Sequence, residues 1–228
     1  MARVVTYNAD STPIKCTYGA MNRRFNGADK ERTTMNYIDF STELYYEVAN
    51  YIEKLPKANN RTFPTTLFIT PEKIEIMKTN GYVVKRFQCD VPKEDSNIPN
   101  EDTFISLEAL PIFQKKLEGV VTLSWDDEEV VVTLKNGTKV VTEHRIERTD
   151  MGNEASIRNV LEEAKQGGQV ETDKCVIGLN PRWVKALFNG LSAKYDLVKF
   201  TVRSPRLPVH LQFQSGFDGV VLPIILPE

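Results

Sequence analysis

At 228 residues and 41% hydrophobic content, the chain is long enough for one large domain or two of ordinary size, and apolar enough to bury genuine cores. Its 29 basic and 31 acidic residues give a formal charge of −2 and a pI near 5.9, which excludes a globally basic nucleic-acid binder but not a basic face on an acidic body. Three cysteines far apart, Cys16, Cys89 and Cys175, argue against a disulfide framework or zinc site and for a reducing compartment. No apolar run approaches the roughly 18 residues of a bilayer span, and nothing near Met1 has a signal-peptide build, so a cytoplasmic protein without membrane contact is expected.

In chain order, Arg3-Tyr7 and Ile14-Tyr18 have strand character, and Met21 to Arg32 is a polar, basic segment with Arg23, Arg24, Lys30 and Arg32. One plan then repeats three times: a few apolar residues and a helix-capping residue, an amphipathic helix, and three short strands joined by tight turns. In the first copy Ile38-Asp39-Phe40-Ser41 precedes a helix to Leu55, whose apolar positions are Leu44, Val48, Ile52 and Leu55. Strands follow at Thr65-Thr70, Lys73-Lys78 and Tyr82-Gln88, the last two joined through Thr79-Asn80-Gly81.

Val91 to Asp102, with Pro92, Pro99 and a run of acidic and amide residues, has too little apolar content to pack. It marks an interdomain linker and divides the chain into domains 1–97 and 98–228. The second copy opens at Phe104-Ile105-Ser106, with Ser106 as the cap of a helix to Glu118 carrying Leu107, Leu110, Phe113 and Leu117 on one face. Its strands are Val120-Trp125, Glu129-Lys135 and Lys139-Ile146. Asn136-Gly137 between the last two is a strong hairpin signal, because both residues tolerate positive φ. Glu147 to Asp173 is an excursion with a short helix around Ile157 to Lys165, ended by Gly167-Gly168. In the third copy, Val176 to Leu179 leads into the cap Asn180 and Pro181, at the one helical position where proline's missing N–H costs nothing. Val184, Leu187, Phe188 and Leu191 are its apolar face, and Leu197-Arg203, Val209-Gln214 and Val220-Leu226 its strands. The expected fold is α+β: repeated half-modules, each a helix laid across an antiparallel sheet.

No catalytic constellation emerges. His144 and His210 are the only histidines and neither has a metal-ligand spacing. Asp126-Asp127-Glu128-Glu129 lies at a hairpin tip, where charge runs are solvated turns. Gly167-Gly168 lacks the spacing and the following Lys-Ser/Thr of a phosphate loop, and no Gly-x-Ser-x-Gly elbow is present. A non-enzyme without metal or cofactor is expected.

Leu179-Asn180-Pro181-Arg182-Trp183, Val198-Lys199-Phe200-Thr201-Val202, Ser204-Pro205, Pro208-Val209 and the terminal Val221-Leu222-Pro223-Ile224-Ile225-Leu226 together resemble the closing half-domain of the bacterial replicative polymerase's β sliding clamp. That family ends in a similar apolar-apolar-proline-apolar strand. Phe87 through Pro92, the acidic linker and Phe104-Ile105-Ser106 likewise resemble a clamp domain junction, so the similarity covers about residues 36 to 228. The resemblance implies a DNA-clamp-like fold with sheets outside and helices inside. It implies a processivity factor that encircles duplex DNA without reading its sequence and works with a DNA polymerase and a clamp loader. It also implies a ring-forming homo-oligomer, with a trimer favoured because six domains would close around a duplex.

The phosphate-facing residues would be Lys115 and Lys116 on the second helix, Arg182 and Lys185 on the third, and Lys194 beyond it, with Arg23 and Arg24 in the basic N-terminal segment. The first helix departs from this pattern, since Glu43, Glu47 and Glu53 offset Lys54 and only Lys57 and Arg61 follow. A groove for short apolar peptides would include Leu222, Pro223 and Ile224, with Pro208 and Val209 nearby. Three half-modules where two full domains need four suggest an abbreviated first domain and a phage or mobile-element replication system. The alternative reading is a clamp-derived binding protein that regulates replication or transcription through the groove without encircling DNA.

Overall fold

The computed structural model describes residues 17–22, 34–59, 63–90, 102–113, 118–149, 154–166, 177–191, 198–213 and 216–224. Twelve strands and three helices fall within these residues: β1 Thr17–Asn22, β2 Thr34–Ser41, α1 Thr42–Glu53, β3 Thr65–Ile69, β4 Lys73–Thr79, β5 Val83–Asp90, β6 Thr103–Leu107, β7 Val120–Trp125, β8 Glu129–Asn136, β9 Lys139–Thr149, α2 Glu154–Lys165, α3 Pro181–Phe188, β10 Val198–Thr201, β11 Val209–Phe213 and β12 Phe217–Val221. Every strand pair is antiparallel, and the order is β1-β2-β7-β8-β9-β6-β3-β4-β5-β12-β11-β10.

The first strands of the first two copies are exchanged. β2 pairs with β7 of the second copy, while β6 pairs with β3 of the first. The opening strand of each of these two copies therefore completes its neighbour's sheet rather than its own. The third copy then adds to the first through β5 and β12, with Val83 opposite Val221 and Phe87 opposite Phe217.

Helix starts follow from local chemistry. Ser41 Oγ accepts from Leu44 N at 3.2 Å, and Asn180 Oδ1 accepts from Arg182 N at 2.9 Å, with Pro181 opening α3. α1 buries Leu44, Tyr45, Val48, Ala49, Tyr51 and Ile52, the stripe expected of a helix packed on a sheet. With Trp183, Ala186 and Leu187 of α3 they join the main core, which takes Leu67, Ile76, Val83, Phe87 and Val221 from one side of the sheet. Alternate residues Phe68, Met77, Val84 and Val220 point the other way and meet Ile157, Leu161 and Ala164 of α2. α1 and α3 thus share one face, and α2 covers the opposite one.

Two expectations are corrected. Ser106 is not a helix cap: it lies in β6, buried, opposite Thr66, with the two hydroxyls 3.3 Å apart. Residues 108–113 continue without helix, although Leu110 and Phe113 are buried as the apolar pattern required. The turn's backbone is satisfied from elsewhere, since Leu110 N donates to Glu53 Oε1 at 2.8 Å. The final strand runs from Phe217 to Val221 instead of Val220 to Leu226; beyond it Ile224 forms an isolated bridge with Gly178. The proposed Arg3-Tyr7 strand, the Val91–Glu101 part of the linker with the 97/98 boundary, and Gly167-Gly168 lie outside the described residues. No helix among the described residues is long and apolar enough to cross a membrane.

Candidate functional site

The exposed surface shared by α1 and α3 carries less acid than its sequence suggests. Glu47 is buried, and Glu53 is turned inward to accept from Leu110 N and Thr65 Oγ1, with Lys78 paired to its other oxygen. Glu43 is the exposed acid of this helix, and exposed Lys54 and Lys57 follow it. On α3, Arg182 and Lys185 are exposed. The described charges on this face are therefore four basic and one acidic. Lys115, Lys116, Lys194, Arg23 and Arg24 lie outside the described residues.

The two helices are locked side by side through their C-terminal ends. Asn50 Nδ2 donates to Gly190 O at 2.8 Å, and a Cβ at Gly190, whose φ is +86°, would lie 2.2 Å from Asn50 O. Lys85 on β5 is fully buried between them and donates to Tyr51 O at 2.8 Å and Asn189 O at 2.7 Å, with its ammonium 4.6 Å from the Tyr51 ring centre. One cation thus satisfies orphan carbonyls at the ends of both helices, where negative helix-dipole charge concentrates. Burial, with a smaller push from the Lys54 charge, brings the Lys85 ammonium down to about 7.

The opposite face holds an ionic cluster. Arg86 Nε donates to Asp218 Oδ1 at 2.8 Å, and its Nη1 reaches Glu162 Oε1 at 2.7 Å and Glu75 Oε1 at 3.2 Å. Arg158 Nε donates to Glu75 Oε2 at 3.2 Å, and His210 Nε2 lies 2.9 Å from Asp218 Oδ2. Burial alone would raise the Asp218 carboxyl, but hydrogen bonds from His210 and Arg86 outweigh it and hold the group below the usual carboxylate range. Glu162 is lowered in the same way, by Arg86 and Lys165 against a smaller burial. This cluster pins α2, β4, β5, β11 and β12 together, with Arg86, Glu75, Asp218 and His210 buried and Glu162 and Arg158 at its partly exposed rim.

Leu222, Pro223 and Ile224, expected to line a peptide groove, directly follow β12. Leu222 N donates to Tyr82 O at 2.9 Å, and Pro208 directly precedes Val209, which pairs with Val221 of β12. Leu222 is 36% exposed and Ile224 45%, while Pro223 is half-buried. Val209 is in the core at 1% exposure. Sequence reading missed the aromatic neighbour: Tyr82, 37% exposed, stacks on Trp183 with ring centres 5.1 Å apart and planes at 7°, and the Arg182 guanidinium lies over the Trp183 ring at 4.7 Å. A hairpin tyrosine and a helix tryptophan a hundred residues apart give no sequence signal of contact.

No protein-family model matches the sequence, and no curated protein matches it. Solved structures do. The DNA polymerase III β subunit of Thermotoga maritima aligns with a TM-score of 0.61 at 11% identity, over 89% of this chain and 69% of that one. The β subunit of Borrelia burgdorferi gives 0.58 at 12%, over 90% and 67%, and the DNA polymerase sliding clamp of Pseudomonas aeruginosa 0.53 at 10%, over 95% and 79%. The chain has the α+β fold of bacterial β sliding clamps across about nine-tenths of its length. At this identity the likeness is one of fold.

Proposed function

We propose that the protein is a DNA sliding clamp, a processivity factor that encircles duplex DNA and tethers a polymerase, in a phage or mobile-element replication system. The observation that carries this reading is the charge of the shared α1–α3 surface, where Lys54, Lys57, Arg182 and Lys185 are exposed against Glu43 alone. Flexible cations on a firm helix pair suit weak, sequence-blind contact with phosphates. Lys115, Lys116, Lys194, Arg23 and Arg24, named from the sequence, are further candidates for phosphate contact. Partners are duplex DNA, a DNA polymerase and a clamp loader, and no step of chemistry is required of the protein.

Ring closure would use the sheet's two ends, β1 and β10, where β10 leaves Lys199 and Phe200 exposed. Pairing one copy's β10 with the next copy's β1 is head-to-tail and closes if the rotation fits, with a trimer favoured. Exposed Leu222 and Ile224 favour a second reading, a clamp-derived regulator that keeps the peptide groove and encircles nothing. Sedimentation at micromolar concentration separates them: the ring reading expects three times the 25.9 kDa chain mass, and a strictly monomeric species moves the assignment to the regulator.

A further inference from the structure

β9 is an interior strand in the sheet order and yet an edge for most of its length. β8 pairs along it from Lys139 to Glu147, whereas β6 meets it only at Ser106–Thr149 and Leu107–Arg148. The ladder stops before Glu108 and Glu147, and a cavity of about 550 Å³ lies between the two segments. Glu108, Leu110 and Pro111 line one wall; His144, Ile146 and Glu147 line the other. Arg148 N donates to Glu128 O, and antiparallel pairing alternates, so Glu147 and Arg145 turn their backbone N–H and C=O away from β8 toward the open side. An unpaired edge of this kind is a template for another extended segment.

Charge selects the segment. Arg145 is held by Glu129 and Glu143, while Glu108 and Glu147 are exposed and form no ion pair among the described residues. The uncompensated charge where the two strands part is therefore negative. We propose that the open edge of β9 takes an extended basic peptide as an added strand, with a lysine or arginine of the ligand between Glu108 and Glu147 and β-branched residues beside it against half-buried Ile146 and Pro111. A duplex is disfavoured, because its phosphates would meet two carboxylates. The ring reading gives contacts between copies to β1 and β10, so this edge is left for a different partner, and the site does not depend on ring closure.

The test follows the backbone amide NMR signals of the whole protein at low salt while the peptide Thr-Val-Lys-Val-Thr is added. A second peptide has glutamine in place of the lysine, and a third is N-methylated at the lysine amide. The first peptide should shift amides of residues 143–149 and 108–110 and bind about three- to fivefold more tightly than the glutamine form, a margin that shrinks as salt rises. Loss of one ladder hydrogen bond should weaken the N-methylated form about fivefold. In the protein, Glu147→Gln should reduce the lysine preference. Arg145→Pro deletes one N–H of the open edge and should weaken the first peptide about fivefold, whereas Arg145→Ala should not. If Arg145→Pro fails to fold, Glu147→Gln and the N-methylated peptide decide. Shifts confined to other surfaces, or equal binding of the three peptides, overturn the inference. A lower oligomer mass in folded Arg145→Pro gives the edge to a second copy and also overturns it, as does displacement of the peptide by a short duplex.

Discussion

Lys85 and Arg86 are consecutive residues of β5, both are fully buried, and they point to opposite faces of the sheet. Each fastens the C-terminal strands to the rest of the chain, Lys85 through Asn189 beyond α3 and Arg86 through Asp218 of β12. The junction is therefore polar on both sides of one ladder. Buried polar groups stabilise little over an apolar packing of the same shape, but they penalise any other register heavily.

Lys85 should make stability depend on pH with a definite sign. Its ammonium is brought down to about 7 in the folded protein, by burial first and the Lys54 charge second, from an ordinary value of 10.5. Between these limits the unfolded chain holds the proton that the folded chain has lost, so folding gains as pH rises. That contribution is complete above about 10.5 and is lost as pH falls through about 7. Denaturant melts of wild type and Lys85→Met at pH 6.5 and 9 test this. The variant should be weaker at both values by about 2 kcal/mol or more, from unpartnered carbonyls, and the gap should widen at the higher pH.

Removing Arg86 takes the fully buried cation from Glu75 and Asp218, each nearly inaccessible, and leaves Glu75 with Arg158 and Asp218 with His210 and Lys165. Arg86→Met should cost about 3–5 kcal/mol in urea melts at neutral pH. The lowered Asp218 and Glu162 carboxyls give the acid side of the profile. Their stabilisation is present above the ordinary carboxylate range near pH 4 and disappears as pH falls below it. Wild type should lose stability steeply there, and Asp218→Asn should flatten the loss.

Gly190 tests the helix pairing alone. A methyl group there meets the Asn50 carbonyl at 2.2 Å and sits at a positive φ, so Gly190→Ala should destabilise by about 2 kcal/mol or more. Spin labels at Lys54 and Lys185 should report a wider separation of α1 and α3 in whatever fraction stays folded.

Much of the fold was legible because it is local. Ser41 and Asn180 cap helices as read, Asn136-Gly137 turns a hairpin with Gly137 at φ +58°, and β7 spans the residues expected of it. The failures were tertiary. Phe104-Ile105-Ser106 fits a helix entry and a strand equally well, and pairing with β3 decided for the strand. Each half-module was expected to have one helix laid across its sheet, yet α1 and α3 on one face and α2 on the other cover β5 and bury Lys85 and Arg86. Glu53 counted as a surface acid until Leu110, Thr65 and Lys78 were seen around it. Leu222 and Ile224, named from the sequence, are exposed, whereas the Tyr82–Trp183–Arg182 stack depends on contacts that no spacing encodes.

The exposed lysines of the helix face carry the DNA contact in this account. Lys54→Ala with Lys185→Ala should weaken retention on DNA several-fold at low salt, with the effect shrinking as ionic strength rises, and should leave thermal stability within about 0.5 kcal/mol because both side chains are exposed. Binding measured across a salt series distinguishes this from a folding defect.

Encirclement is the central claim, and topology tests it directly. Protein mixed with nicked circular plasmid and loaded by its cognate replication proteins should co-elute with the circle through a sizing column. Cutting the same plasmid once should release it, because a ring slides off an end while a groove-bound or phosphate-bound protein does not. Retention that is equal on circular and linear DNA, or absent from both, would contradict the account.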